Sequence, residues 1–176
     1  MKNLQLAAII FMLLFASCDQ VIFPEPQPPK VNPLTEIPEN LRGTFIDEDG
    51  DTLFIRQHHF SYYDDLVEMM DIYLSDSAVL KSYKDHYFYS ARIRVQGEQY
   101  WLAYILFPAE DGFDLYTMDP DDIVKLAMLE NITSKVRDIE DGDAEYYLFD
   151  PKRRHYKKII SDSVFTKMIS FRRIDE

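Results

Sequence analysis

Cysteine occurs once in this chain, tryptophan once and glycine five times among 176 residues, and 19 basic residues face 31 acidic ones. A single thiol, Cys18, excludes an internal disulfide framework and every zinc site built on cysteine pairs. The glycines fall singly, so the chain has no phosphate-cradling loop, no dinucleotide fingerprint and no Gly-x-Ser-x-Gly elbow. A net charge of −12 has the wrong sign for general nucleic-acid binding, which works by neutralising phosphates. His58 and His59 are neighbours that a strand would point to opposite faces, and His86 and His155 lie far off in sequence. No metal, no cofactor and no catalytic residue is therefore expected. Long hydrophobic runs are also missing: the best one, Leu4 to Phe15, falls short of the about 20 residues a bilayer-spanning helix needs.

That run follows Met1-Lys2-Asn3 and ends in small residues, the layout of a secretory signal peptide over residues 1–17. Ala16-Ser17-Cys18 directly after it resembles the lipobox of bacterial lipoproteins, with Phe15 where that family usually has Leu. The resemblance implies that Cys18 becomes the mature N-terminus, diacylated on sulfur and acylated on nitrogen. Such a protein belongs in the cell envelope, with the outer membrane as its expected address. Two or more acyl chains hold a protein at a bilayer where one binds only marginally. Residues 18–40 hold Pro24, Pro26, Pro28, Pro29, Pro33 and Pro38 among polar residues, which predicts an extended polyproline tether.

Residues 41–176 have the length of one ordinary domain. Asp49-Gly50, Gly97-Glu98, Asp111-Gly112 and Asp141-Gly142 each separate β-prone runs and suit tight hairpin turns. Strands are predicted at 43–46, 52–56, 59–63, 67–74, 78–83, 87–95, 99–107, 113–117, 145–149 and 168–174, with a further run at 136–139. The segment 100–107 is apolar on both faces and should be central. Tyr116-Thr117-Met118-Asp119-Pro120 and Tyr147-Leu148-Phe149-Asp150-Pro151 share one pattern; Asp as cap and Pro at the first helical position predict helices over 120–129 and 151–161. The two surroundings suggest a repeated strand-helix-strand unit. The expected class is mainly β (α+β): an antiparallel meander sheet curled as a barrel or sandwich, with two short helices in the C-terminal third.

Leu41-Arg42-Gly43-Thr44-Phe45 resembles the opening strand of lipocalin-like domains, with Phe45 where that family usually has Trp. The layout and the Gly50-to-Leu53 stretch also resemble small envelope lipoproteins of the Bacteroidetes type. Neither resemblance implies an activity.

Two groups of side chains remain as binding candidates. Tyr87, Tyr89, Tyr100, Trp101 and Tyr104 could line a pocket or stack on a sugar, although core packing explains aromatics as well. Lys152, Arg153, Arg154, Lys157 and Lys158 form a basic patch suited to anionic headgroups or an envelope polysaccharide. The acidic run Asp47-Glu48-Asp49-Gly50-Asp51 does not fit a calcium loop, because Thr52 and His58 occupy its glycine and bidentate glutamate positions. Asp64 and Asp65, with Glu68 or Asp71, are the carboxylates a glycan hydrolase would draw on. The expected function is a non-catalytic binding or accessory module, its partner a small apolar ligand, a glycan or an envelope protein. The alternatives are a docking subunit of an envelope complex and an envelope glycan hydrolase.

Overall fold

The computed structural model describes residues 19–64 and 67–174; the expected signal segment 1–17, Cys18 and Asp65 lie outside the described residues. In chain order the strands are β1 (Gln20–Ile22), β2 (Gly43–Ile46), β3 (Thr52–Ile55), β4 (His59–Asp64), β5 (Val67–Tyr73), β6 (Ala78–Tyr83), β7 (His86–Val95), β8 (Glu98–Ala109) and β9 (Gly112–Thr117). Helix α1 (Ile123–Ile132), strands β10 (Lys135–Asp141) and β11 (Ala144–Phe149), helix α2 (Tyr156–Ser161) and strand β12 (Thr166–Arg173) complete the fold. Among the described residues no helix is long and apolar enough to cross a membrane.

Two antiparallel meanders, β2 to β5 and β6 to β9, are joined side by side by β12, which pairs with β9 on one edge and β2 on the other. The result is a nine-stranded antiparallel sheet in the order β5-β4-β3-β2-β12-β9-β8-β7-β6. Its edge strands β5 and β6 are linked by Leu74 to Ser77 alone, a reach of at most roughly 18 Å, so the sheet curls into a half-barrel. Rings from distant strands consequently meet inside it, Phe60 of β4 lying 5.1 Å edge-on from Tyr89 of β7. The interior is filled by Phe45, Leu53, Ile55, Leu80, Leu106, Phe113 and Phe171, with Ile37 and Leu41 inserted from the preceding segment.

The longest hairpin, β7 with β8, pairs Tyr87 with Leu106 through to Val95 with Glu98, around a turn in which Gln96 and Gly97 both have positive φ. β8 is central as its two apolar faces require. Trp101, Ala103 and Ile105 pack outward against α1, α2, Val21 and Phe23, while Tyr100 and Leu106 face the other way. A second sheet, β1-β11-β10, has β1 parallel to β11. It is stitched to β8 where β9 has ended: Phe23 and Trp101 exchange two backbone hydrogen bonds of 2.9 Å.

The proline-rich segment is not a free tether. Val21, Ile22 and Phe23 are 4%, 0% and 0% exposed, and the chain then wraps the barrel as a strap. The Lys81 ammonium donates to the Pro26 and Pro28 carbonyls at 2.6 and 2.9 Å, and the Gln27 amide N–H donates to Ser90 Oγ at 3.0 Å. Gln27 Oε1 accepts from the Tyr156 hydroxyl at 2.7 Å. Further along, Leu34 N–H bonds the Leu80 carbonyl and Ile37 N–H the Gln57 carbonyl. Proline sets φ but says nothing of what the neighbouring apolar side chains bury, so packing overrode the local preference. The packed body therefore begins near residue 19, not 41.

Both helices start later than their Asp-Pro signals. Asp119 Oδ1 accepts from Asp121 N–H in a tight turn, and Asp122 caps α1 by accepting from Lys125 N–H at 3.1 Å. Pro151 is buried and is followed by a 3-10 turn over Arg153–His155 before α2 begins. Asp119-Pro120 here initiates a turn, which Asp favours by bonding the backbone two residues on, and Asp150-Pro151 leads into a 3-10 turn. The two strand-helix-strand units run in opposite senses: β9-α1-β10 leaves the large sheet for the small one, and β11-α2-β12 returns.

Candidate functional site

The five basic residues of 152–158 are all exposed, on the 3-10 turn and the first turn of α2. The turn is held by Lys152 N–H donating to His155 Nδ1 at 3.3 Å. Burial first, then the charges of Arg154 and Lys152, holds the His155 imidazole below its ordinary value. Folding adds a sixth cation from a distant part of the chain. The Arg153 guanidinium lies 5.6 Å from the centre of the Tyr83 ring, and Lys84 Nζ lies 5.8 Å from the same ring. Cations over an aromatic face gain attraction from its quadrupole, so Tyr83 joins the β6–β7 turn to the 3-10 turn. Among the described residues Lys158 alone of the six is in an ion pair, at 3.9 Å from Asp162. Behind them His86 packs 4.3 Å from Phe107; its Nδ1 is buried without a hydrogen-bond partner among the described residues, and burial lowers its proton affinity. This end of the molecule presents an exposed cationic surface.

The five aromatic candidates do not converge. Tyr89 and Tyr104 are cross-strand partners stacked at 5.9 Å inside the half-barrel, where burial pushes both hydroxyls up. Tyr87 lies on the same face and donates to Asn40 Oδ1 at 3.1 Å. Tyr100 belongs to a separate cluster with Ile22, Ile139 and Leu148, and its hydroxyl is held by Glu98 and Arg137. Trp101, its neighbour on β8, points to the opposite face. They are packing residues of three cores.

The opposite sign gathers elsewhere. An open cleft of about 650 Å³ is lined by Asp47, Glu48, Glu110, Asp111, Asp114 and Arg172, among others. Two of its carboxylates have structural partners: Asp47 accepts from the Asp49 and Asp51 amides and from Tyr62, and Asp114 from Ser170 with Lys167 at 2.9 Å. No group of metal-ligating side chains occurs among the described residues. Asp64, Glu68 and Asp71 lie along β4 and β5, with Glu68 accepting from Tyr63, and are not among the residues lining this cleft.

Comparison with known proteins returned no match: no family model, no curated protein and no solved structure is similar to this chain. The contiguous basic run was readable from the sequence. Tyr83 and Lys84, some 70 positions earlier, carried no signal beyond a turn between two strands.

Proposed function

We propose that this chain is a lipid-anchored protein of the cell envelope, fixed to the outer membrane through Cys18, whose folded body is a non-catalytic accessory module binding an anionic envelope glycan. The glycan part is supported by one observation, the cationic end where Arg153 and Lys84 share the Tyr83 ring beside Lys152, Arg154, Lys157 and Lys158. Guanidinium and ammonium groups over an aromatic ring suit the carboxylates or phosphates of a polysaccharide together with its apolar sugar faces. A small apolar ligand has less support, because side chains fill the half-barrel interior. The anchor rests on the small-small-Cys triplet after the apolar run.

The glycan reading is tested on polygalacturonate and heparin columns with detergent-purified protein. Retention that weakens with salt and is lost in Arg153→Glu/Lys157→Glu, with an unchanged unfolding curve, supports it. Equal elution of the two proteins refutes it. The anchor is tested by the mass of the mature N-terminus, with Cys18→Ser as control.

A docking subunit is the second reading. It is favoured by Ile123 and Val124 at the start of α1, 77% and 64% exposed. Crosslinking in intact envelopes to a protein partner, abolished by Val124→Asp, would support it over the glycan.

A further inference from the structure

The strap removes the spacer between Cys18 and the folded body. The Asp19 carboxylate accepts from the Glu145 amide at 2.9 Å, and pairing with β11 begins at Gln20 opposite Tyr146. A lipid on Cys18 is therefore one residue, about 4 Å of chain, from a fixed point of the domain.

That point belongs to a particular end of the molecule. Glu145 pairs across to Glu140, whose carbonyl accepts from Gln96 Nε2, and the Gln96 amide donates to Asp141 Oδ2 at 2.9 Å. Asp19 thus stands about two strand spacings, roughly 10 Å, from Glu140 and the β7–β8 turn. Asp19, Glu140, Asp141, Asp143 and Glu145 make this end acidic, against Arg94 and Arg137. The cationic end lies at the other terminus of β7: Gln96 follows its last residue, and Lys84 and Tyr83 precede its first. Ten strand residues span about 30 Å, several times the about 8–10 Å over which salt screens a surface charge.

We propose that the face bearing the Gln96–Gly97 and Asp141–Asp143 turns is the membrane-facing surface of the anchored protein, and that the cationic end is presented away from the anchoring bilayer. The inference rests on lipidation of Cys18. It separates the two anionic partners open to the basic patch: headgroups of the protein's own membrane are out of its reach, and a polymer lying above that membrane is within it.

The sole native cysteine is consumed by lipid, so a single engineered thiol can be labelled selectively. Asp143→Cys and Lys157→Cys, each carrying a fluorophore, are reconstituted in vesicles of neutral lipid and of neutral lipid mixed with anionic lipid, both holding a headgroup-linked quencher. The expected result in both is loss of most emission at Asp143→Cys and no loss at Lys157→Cys. Equal quenching at the two positions, or quenching at Lys157→Cys once anionic lipid is present, overturns the orientation, since the domain would then lie over onto its basic patch. The intact mass of each sample identifies which premise failed: an unacylated Cys18 overturns the anchor, and an acylated Cys18 with the wrong quenching pattern overturns the orientation alone.

Discussion

Lys81 carries a charge at a place only 4% exposed, where desolvation disfavours the ammonium and lowers its proton affinity. Two strap carbonyls compensate for the lost water, so the residue acts as a pin between β6 and residues 26–28. Lys81→Met keeps the volume but leaves both carbonyls unpaired; a loss of about 2 kcal/mol in urea unfolding is expected. Tyr156→Phe, which strands Gln27 Oε1 in the core, should cost about 1–2 kcal/mol by the same measurement. The pH dependence has two opposed parts at the alkaline side. The folded chain releases the Lys81 proton more readily than the unfolded chain, so that group's contribution rises with pH as the lysine range is approached. Burial pushes the Tyr62, Tyr89, Tyr104 and Tyr156 hydroxyls up, and hydrogen bonding to Glu145 pushes Tyr147 up to about 12. The folded state then holds more protons than the unfolded state above pH 10, and stability falls as pH rises through that region. Five tyrosines outweigh one lysine, so net alkaline unfolding is expected. Phenolate absorbance should rise for the exposed tyrosines first and for the rest only together with the loss of circular dichroism; simultaneous ionisation of all twelve in the folded state would contradict it.

An open sheet needs its two edges protected, and the two are protected differently. β6 is covered by the strap at Pro33 and Leu34, which bridge to Lys81 and Leu80. β5 is left to solvent with Val67, Met69 and Met70 exposed, but a bulge at Met69 breaks its register and Glu68 and Asp71 charge it. Replacing both acids, Glu68→Val with Asp71→Val, should move the protein to larger species in sedimentation, while the wild-type profile stays unchanged at equal concentration. Where β9 leaves the β8–β9 turn, Gly112 lies so close to β12 that a Cβ would run into the Phe171 carbonyl. Gly112→Ala should destabilise by about 2–3 kcal/mol, read as a lower unfolding midpoint, whereas Gly97→Ala meets no atom and carries only the positive-φ cost of about 1 kcal/mol. The strands were legible in the sequence because alternation and single glycines report local geometry directly: β2 and β6 fall on their predicted bounds. Helix starts were less legible. An Asp-Pro pair marks a chain reversal, and whether the helix begins there or at the next cap, as at Asp122, depends on where the strand must let the chain go.

At the scale of the molecule, the segment that composition marked as a tether is part of the core. Fully burying Val21, Ile22 and Phe23 is worth about 5–8 kcal/mol, comparable with the whole net stability of a domain. Deleting residues 19–34 should abolish cooperative unfolding and shift the emission of Trp101, the sole tryptophan, to longer wavelength; a truncated protein with native emission and midpoint would show that the strap is dispensable. The signal for it was present in three consecutive β-formers between Gln20 and Pro24, outvoted by the prolines around them. The candidate site was half legible: residues 152–158 announce themselves as a run, but the placing of Lys84 and Tyr83 beside them follows from a register no single segment encodes. The same long-range pairings order events during synthesis. β1 is made first, yet its partner β11 lies well over a hundred residues later, and β2 waits for Arg172 and Arg173 of β12. During synthesis the two local meanders, β2 to β5 and β6 to β9, can pair as soon as they are made, but neither sheet is complete until β11 and β12 have followed, so the large packed core closes late in elongation.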